Sequence, residues 1–125
     1  MFEKFKRIIV PVDGSKHSSR ALKKAINLGK KLSLPITAIY VIDMQGLKGV
    51  ITPNRVTTMW KNILEEEGNK VLNSVQKQGL EKQIKVKTIM LEGTPDEEII
   101  KLANKNDLVI MGSKGKDAID RIFIG

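Results

Sequence analysis

Apolar residues follow two rhythms along the chain. Short runs rich in β-branched side chains lie at residues 7–12 (Arg-Ile-Ile-Val-Pro-Val), 36–42, 84–91 and 108–111, and each predicts a strand. The last run is apolar without a break, as expected where a strand is buried on both faces. In the third, Ile84, Val86, Thr88 and Met90 alternate with Lys85, Lys87, Ile89 and Leu91, and the lysines suit a sheet edge. Stretches of helical spacing separate these runs. The first starts at Asp13-Gly14-Ser15, where a hydroxyl is available as cap, and continues to about Leu32, with Ser18, Leu22, Ala25, Gly29 and Leu32 toward the core. A second helix is expected from a cap at Thr57 or Thr58 to about Gly79. Its buried side would be Trp60, Ile63, Leu64, Val71, Leu72 and Val75, and Gly68 would weaken it. A third follows Gly93, with Thr94 as N-cap, Pro95 in the first turn and Glu97 closing a capping box.

Strands alternating with helices predict an α/β fold: one domain over residues 1–125, a doubly wound parallel sheet with helices on both faces. In the strand order 3-2-1-4 the direction of winding reverses between the first and fourth strands, so Asp13 and Gly112 would flank one crevice. Pro11 gives up a ladder donor and belongs at a strand end or where pairing lapses. Residues 43–57 carry two glycines and Pro53 without periodicity, and predict a long loop at the same carboxyl edge.

That edge is where candidate chemistry collects. The fourth strand runs into Gly112-Ser113-Lys114-Gly115, a basic loop whose glycines let backbone N–H groups approach an anion, so phosphate is the first ligand to consider. A Walker A loop does not fit, because Ile110 and Asp117 stand where it needs glycine and a hydroxyl. Nor does a dinucleotide fingerprint, whose three close glycines follow the first strand.

Composition closes several functional classes. Zero cysteines exclude disulfides, thiolate metal sites and thiol redox chemistry, and one histidine excludes a multi-histidine centre. No apolar run approaches the roughly 18 residues of a membrane span and none resembles a secretory leader, so a soluble cytoplasmic protein is expected. The net charge of +8 is concentrated at the start, where residues 1–34 carry nine Lys and Arg against Glu3 and Asp13. Lys16, Arg20, Lys23 and Lys30 share one face of the first helix with Asn27; without interleaved aromatic residues this reads as a solvated face, and nucleic acid is not expected as a partner. Glu65, Glu66 and Glu67 point some 100° apart on a helix and do not form a metal site. Asp13, Ser15 and His17 lie within one turn, unlike the distant segments that supply a catalytic triad, and no catalytic residue is assigned.

The glycines Gly112, Gly115 and Gly125 have the spacing Gly-x2-Gly-x9-Gly, which resembles the nucleotide-binding signature of the universal stress protein family. The likeness covers nearly the whole chain: residues 8–15 (Ile-Ile-Val-Pro-Val-Asp-Gly-Ser), 40–43 (Tyr-Val-Ile-Asp), 93–95 (Gly-Thr-Pro) and 107–115 look like successive family signatures in order. The resemblance implies an ATP-binding regulatory or stress-response module in which the nucleotide switches assembly or partner choice. Pro11 and Asp13, with Val12, Gly14 and Ser15 in the same turn, would border the adenosine. Val41 would meet the adenine edge, and Met111 and Gly112 would line base and ribose. Gly115 and Gly125 would let backbone amides reach the phosphates; Ser113 and Lys114 of the same loop are counted to the site, Lys114 as a point charge. Asp13 is the one candidate to hold magnesium together with phosphate oxygens. In the family, Ser or Thr, a helix and a final strand that often mediates dimerisation follow the third glycine. That strand is not expected within residues 1–125, and a homodimer is expected where it is present. An interaction module using the basic first helix with an unknown protein partner, and a slow ATPase, are the alternatives.

Overall fold

The computed structural model describes residues 5–44, 53–112 and 121–124. Ser113, Lys114, Gly115 and Gly125 therefore lie outside the described residues, as does most of the loop expected at 43–57. The order is β1 (Arg7–Pro11), α1 (Lys16–Leu32), β2 (Ile36–Ile42), α2 (Asn54–Glu81), β3 (Val86–Glu92), α3 (Pro95–Leu102), β4 (Asp107–Met111) and β5 (Arg121–Ile124). β1 to β4 pair in parallel in the expected order 3-2-1-4. A short fifth strand continues the sheet beyond β4, running antiparallel to it with Val109 opposite Phe123. The sequence pattern predicts no strand at residues 121–124, and β5 is the difference.

The two faces are unequally covered. Even positions of β1, with Tyr40 of β2 and Val86 of β3, pack under α1 and α2 in a large cluster that includes Ile8, Val10, Leu22, Leu72 and Val75. Odd positions make a smaller cluster of Ile9, Ile39, Val109 and Ile99, the last from α3. Glycine sets how closely the larger face packs. A Cβ on Gly68 would stand 2.7 Å from the Tyr40 ring, so the residue expected to weaken α2 is what lets the helix lie on β2. Gly79 meets Val86 in the same way near the end of α2.

α2 also corrects the sequence reading at its start. It begins at Asn54 after Pro53, with no side-chain hydrogen bond capping it, instead of at a Thr57 or Thr58 cap. Trp60 and Ile63, expected inside, are exposed; burial begins at Gly68. The reason is length. Twenty-eight residues make a helix of about 42 Å, whereas the seven-residue strands below it span about 23 Å. Since the helix runs against the parallel strands, its first turns project past their carboxyl ends, where Lys61 reaches Glu92 at the end of β3 (3.1 Å). In α3, Thr94 is the N-cap residue and Pro95 occupies the first turn, but no side-chain cap hydrogen bond forms, so the expected capping box is not made.

Candidate functional site

Pro11 opens the site. The N–H groups of Ile8 and Val12 bond to Pro35 O (2.9 Å) and Ile39 O (2.8 Å) on the β2 side. Alternation turns the nitrogen of Pro11 toward β4, and proline has no hydrogen to give. Pairing of β1 with β2 accordingly extends to Pro11 opposite Ile39, while pairing with β4 ends at Ile9 opposite Val109. At the amino end the same two strands are tied by Arg7 and Asp107: Nη2 reaches Oδ2 at 2.6 Å and Nε reaches Oδ1 at 3.1 Å. The strands are clamped at one end and parted at the other.

Where they part lies a cleft of about 370 Å³. Pro11, Val12 and Asp13 form one wall and Met111 and Gly112 the other; Ile39, Val41 and Ile99 give an apolar floor, and His17, Ser18, Pro95 and Asp96 complete the rim. The floor is the open end of the smaller apolar cluster. Among the described residues, the ionisable groups of this lining are Asp13, His17 and Asp96.

The turn after β1 is built by its own hydrogen bonds. Asp13 Oδ1 accepts from the N–H of Ser15 (2.9 Å), and Ser15 Oγ accepts from the N–H of Ser18 (3.2 Å), capping α1. The buried Ser18 hydroxyl donates to Ser15 O (3.1 Å) and accepts from the N–H of Asp13 (3.3 Å). Gly14 takes φ 85, which suits a residue without Cβ. Burial pushes the Asp13 carboxyl up, but hydrogen bonds from Ser15 and Ser18 and the neighbouring His17 outweigh it and hold it below the usual carboxylate range. Its Oδ2 lies 3.9 Å from His17 Nε2. Among the described residues no group of three or more acidic or histidine side chains could hold a metal by itself.

Six of the residues expected to bind a ligand thus share one cleft: Pro11, Val12, Asp13, Val41, Met111 and Gly112. Gly14 and Ser15 face instead a groove between α1 and α2, against Val71, Lys70 and Ser74. Gly112 has a structural reason to be glycine, since a Cβ there would stand 2.4 Å from the carbonyl oxygen of His17. Sequence reasoning missed His17, Asp96 and Ile99. The position of His17 and Asp96 in the first turns of α1 and α3, at the carboxyl edge, was the available signal. No helix among the described residues is long and apolar enough to cross a membrane.

A family model described as the universal stress protein family matches residues 4–125. Universal stress protein MJ0531 of Methanocaldococcus jannaschii is 38% identical over 123 residues, which span 97% of this chain and 72% of that protein. The solved structure of MJ0577, from the same organism, superposes with a TM-score of 0.74 at 32% identity, covering 90% of this chain and 78% of that one. A universal stress protein solved in complex with cAMP shares the fold at 14% identity and TM-score 0.59, covering 81% of this chain and 70% of its own.

Proposed function

The chain belongs to the universal stress protein family, and from that premise we propose that residues 1–125 act as one nucleotide-binding regulatory unit whose cleft takes an adenine nucleotide, ATP first among them. The observation that carries this reading is the cleft itself: it opens where winding reverses in a doubly wound sheet, the usual position for a nucleotide, and its floor of Ile39, Val41 and Ile99 is apolar. Its volume lies within the range of small-molecule sites. That one fold relative was solved with cAMP is in keeping with it.

The described residues fit the base and sugar better than the phosphates. An apolar floor can stack a purine, and the carboxylates of Asp13 and Asp96 on the rim can accept hydrogen bonds from ribose hydroxyls. No lysine or arginine is among the described lining, so in this reading the phosphates lie beyond Gly112, toward Ser113, Lys114, Gly115 and Gly125. Asp13, held ionised, would present Oδ2 to a magnesium ion carried by those phosphates. The nucleotide would act as a ligand that shifts the chain between states, with chemistry at most slow.

Calorimetric titration with ATP, AMP and cAMP, with and without magnesium, tests the proposal. Saturable binding of at least one, at about micromolar to submillimolar Kd, is the expected result. Val41→Trp fills the floor and should weaken it at least about tenfold while leaving the thermal midpoint within a few degrees. Gly112 is unsuitable for this test, since its variants disturb packing against α1. Absence of saturable binding for all three nucleotides contradicts the proposal.

A further inference from the structure

A second hollow lies between α1 and α2, apart from the cleft proposed for the nucleotide. Ser15, Ser18 and Ser19 line it from the start of α1, and Ser74 lines it from α2. Packed helices ordinarily interlock larger side chains; residues this small leave a groove of about 270 Å³. Its floor is apolar, with Val12, Leu22 and Val75 all buried. Over that floor stand two side chains of opposite charge, Glu67 and Lys70. A Cβ on Gly14 would lie 3.9 Å from Glu67 Oε1, which places the carboxylate at the turn after β1. Residues three apart on a helix are neighbours and can pair with each other. These two do not: among the described residues neither Glu67 nor Lys70 makes an ion pair. The groove therefore presents one anion and one cation, both open to a ligand.

We propose that this groove binds a free α-amino acid with a small apolar side chain. Such a molecule carries an ammonium and a carboxylate on one carbon, and Glu67 and Lys70 supply one partner for each. Its side chain lies on Leu22 and Val75, where apolar contact adds to affinity. Ser74 Oγ already accepts from Gln78 Nε2 (3.2 Å), so its hydrogen is available to the ligand's carboxylate. Other small molecules fit less well. The volume falls below the roughly 300 Å³ at which drug-sized sites begin, and no aromatic ring in the lining can stack a base. A plain anion would be repelled by Glu67 and a plain cation by Lys70, whereas a zwitterion satisfies both. Nothing in this inference requires a nucleotide in the cleft.

Amide chemical shifts of the full chain, followed while L-valine is added to about 50 mM, test the inference. Saturable movement at Ser15, Ser19, Lys70 and Ser74, with Kd about millimolar or below, is the expected result. L-Valinamide lacks the carboxylate and N-acetyl-L-valine lacks the ammonium, and each should bind at least about tenfold more weakly. Lys70→Gln should weaken valine at least about tenfold while leaving valinamide within about threefold of its affinity for the parent, and Glu67→Gln should act likewise on valine and N-acetylvaline. Both variants change exposed residues, and amide shifts unaltered outside the groove will show that they fold. Absence of saturable movement with valine, alanine and leucine overturns the inference. An analogue that binds as tightly as valine does so too, because the site would then not be reading a zwitterion. Movement centred on Val41 and Met111 would put the ligand in the cleft and is equally contrary. Variants that weaken valine and both analogues alike would show that Glu67 and Lys70 only shape the groove, which also overturns it.

Discussion

The two faces of the sheet do different work with the same kind of residue. Under α1 and α2, isoleucines, valines and leucines from four strands close into a cluster in which Ile8, Val10 and Leu22 are almost inaccessible. Under α3, an eight-residue helix, the cluster is smaller, and Val41, Leu91 and Met111 at its margin are only partly covered. The cleft is where that thinner cover ends. A sealed face holds the fold together; an incompletely sealed one, at the place where Pro11 stops β1 from pairing with β4, leaves room for a ligand.

Truncation should separate the faces most sharply. Leu22→Ala is expected to cost about 3–4 kcal/mol, because the surrounding residues cannot collapse into the space, whereas Ile99→Ala beside the cleft should cost nearer about 2 kcal/mol. Equal losses in urea unfolding would break the comparison. Next come substitutions at close approaches. Gly112→Ala drives a Cβ against the backbone of His17 and should cost about 2 kcal/mol. Gly68→Ala should cost about 1 kcal/mol, since its gain in helix propensity partly offsets the collision with Tyr40.

The amino end of the β1 and β4 pair adds a pH dependence. Burial raises the Asp107 carboxyl, but Arg7 and the N–H of Asn104 lower it further, leaving it below its ordinary value. A carboxylate depressed in the folded state stabilises the fold above its unfolded pKa of about 3.9, and that part is lost as pH falls through the folded value. Asp107→Asn should therefore cost about 2 kcal/mol at neutral pH and flatten the acid limb of the stability curve below about pH 4. An unchanged acid limb would show that the clamp contributes nothing. The smallest effect on stability is expected at Val41→Trp, under about 1 kcal/mol, although it fills the cleft.

Much of the fold was legible because local signals agreed. β-Branched runs marked strands, Ser15 and Thr94 marked helix starts, and the placing of Pro11 anticipated the lapse in pairing that opens the cleft. What could not be read depended on distances between elements. Gly68 looked like a defect because its reason, the ring of Tyr40, lies on another strand. Trp60 and Ile63 looked buried because periodicity marks an apolar side without saying how far the sheet extends beneath it. His17 and Asp96 became cleft residues only when α1 and α3 were brought to one edge. The family was legible from four ordered motifs, and the family comparison bears it out.

Amide chemical shifts followed during ATP titration test most directly the claim that the thinly covered face holds the nucleotide. Saturable movement should concentrate at Val12, Asp13, Val41, Met111 and Gly112, with amides of α2 from Gly68 to Gly79 unmoved. Saturable movement confined to Ser19, Lys70 and Ser74, in the groove on the opposite face, or no movement anywhere, would contradict it.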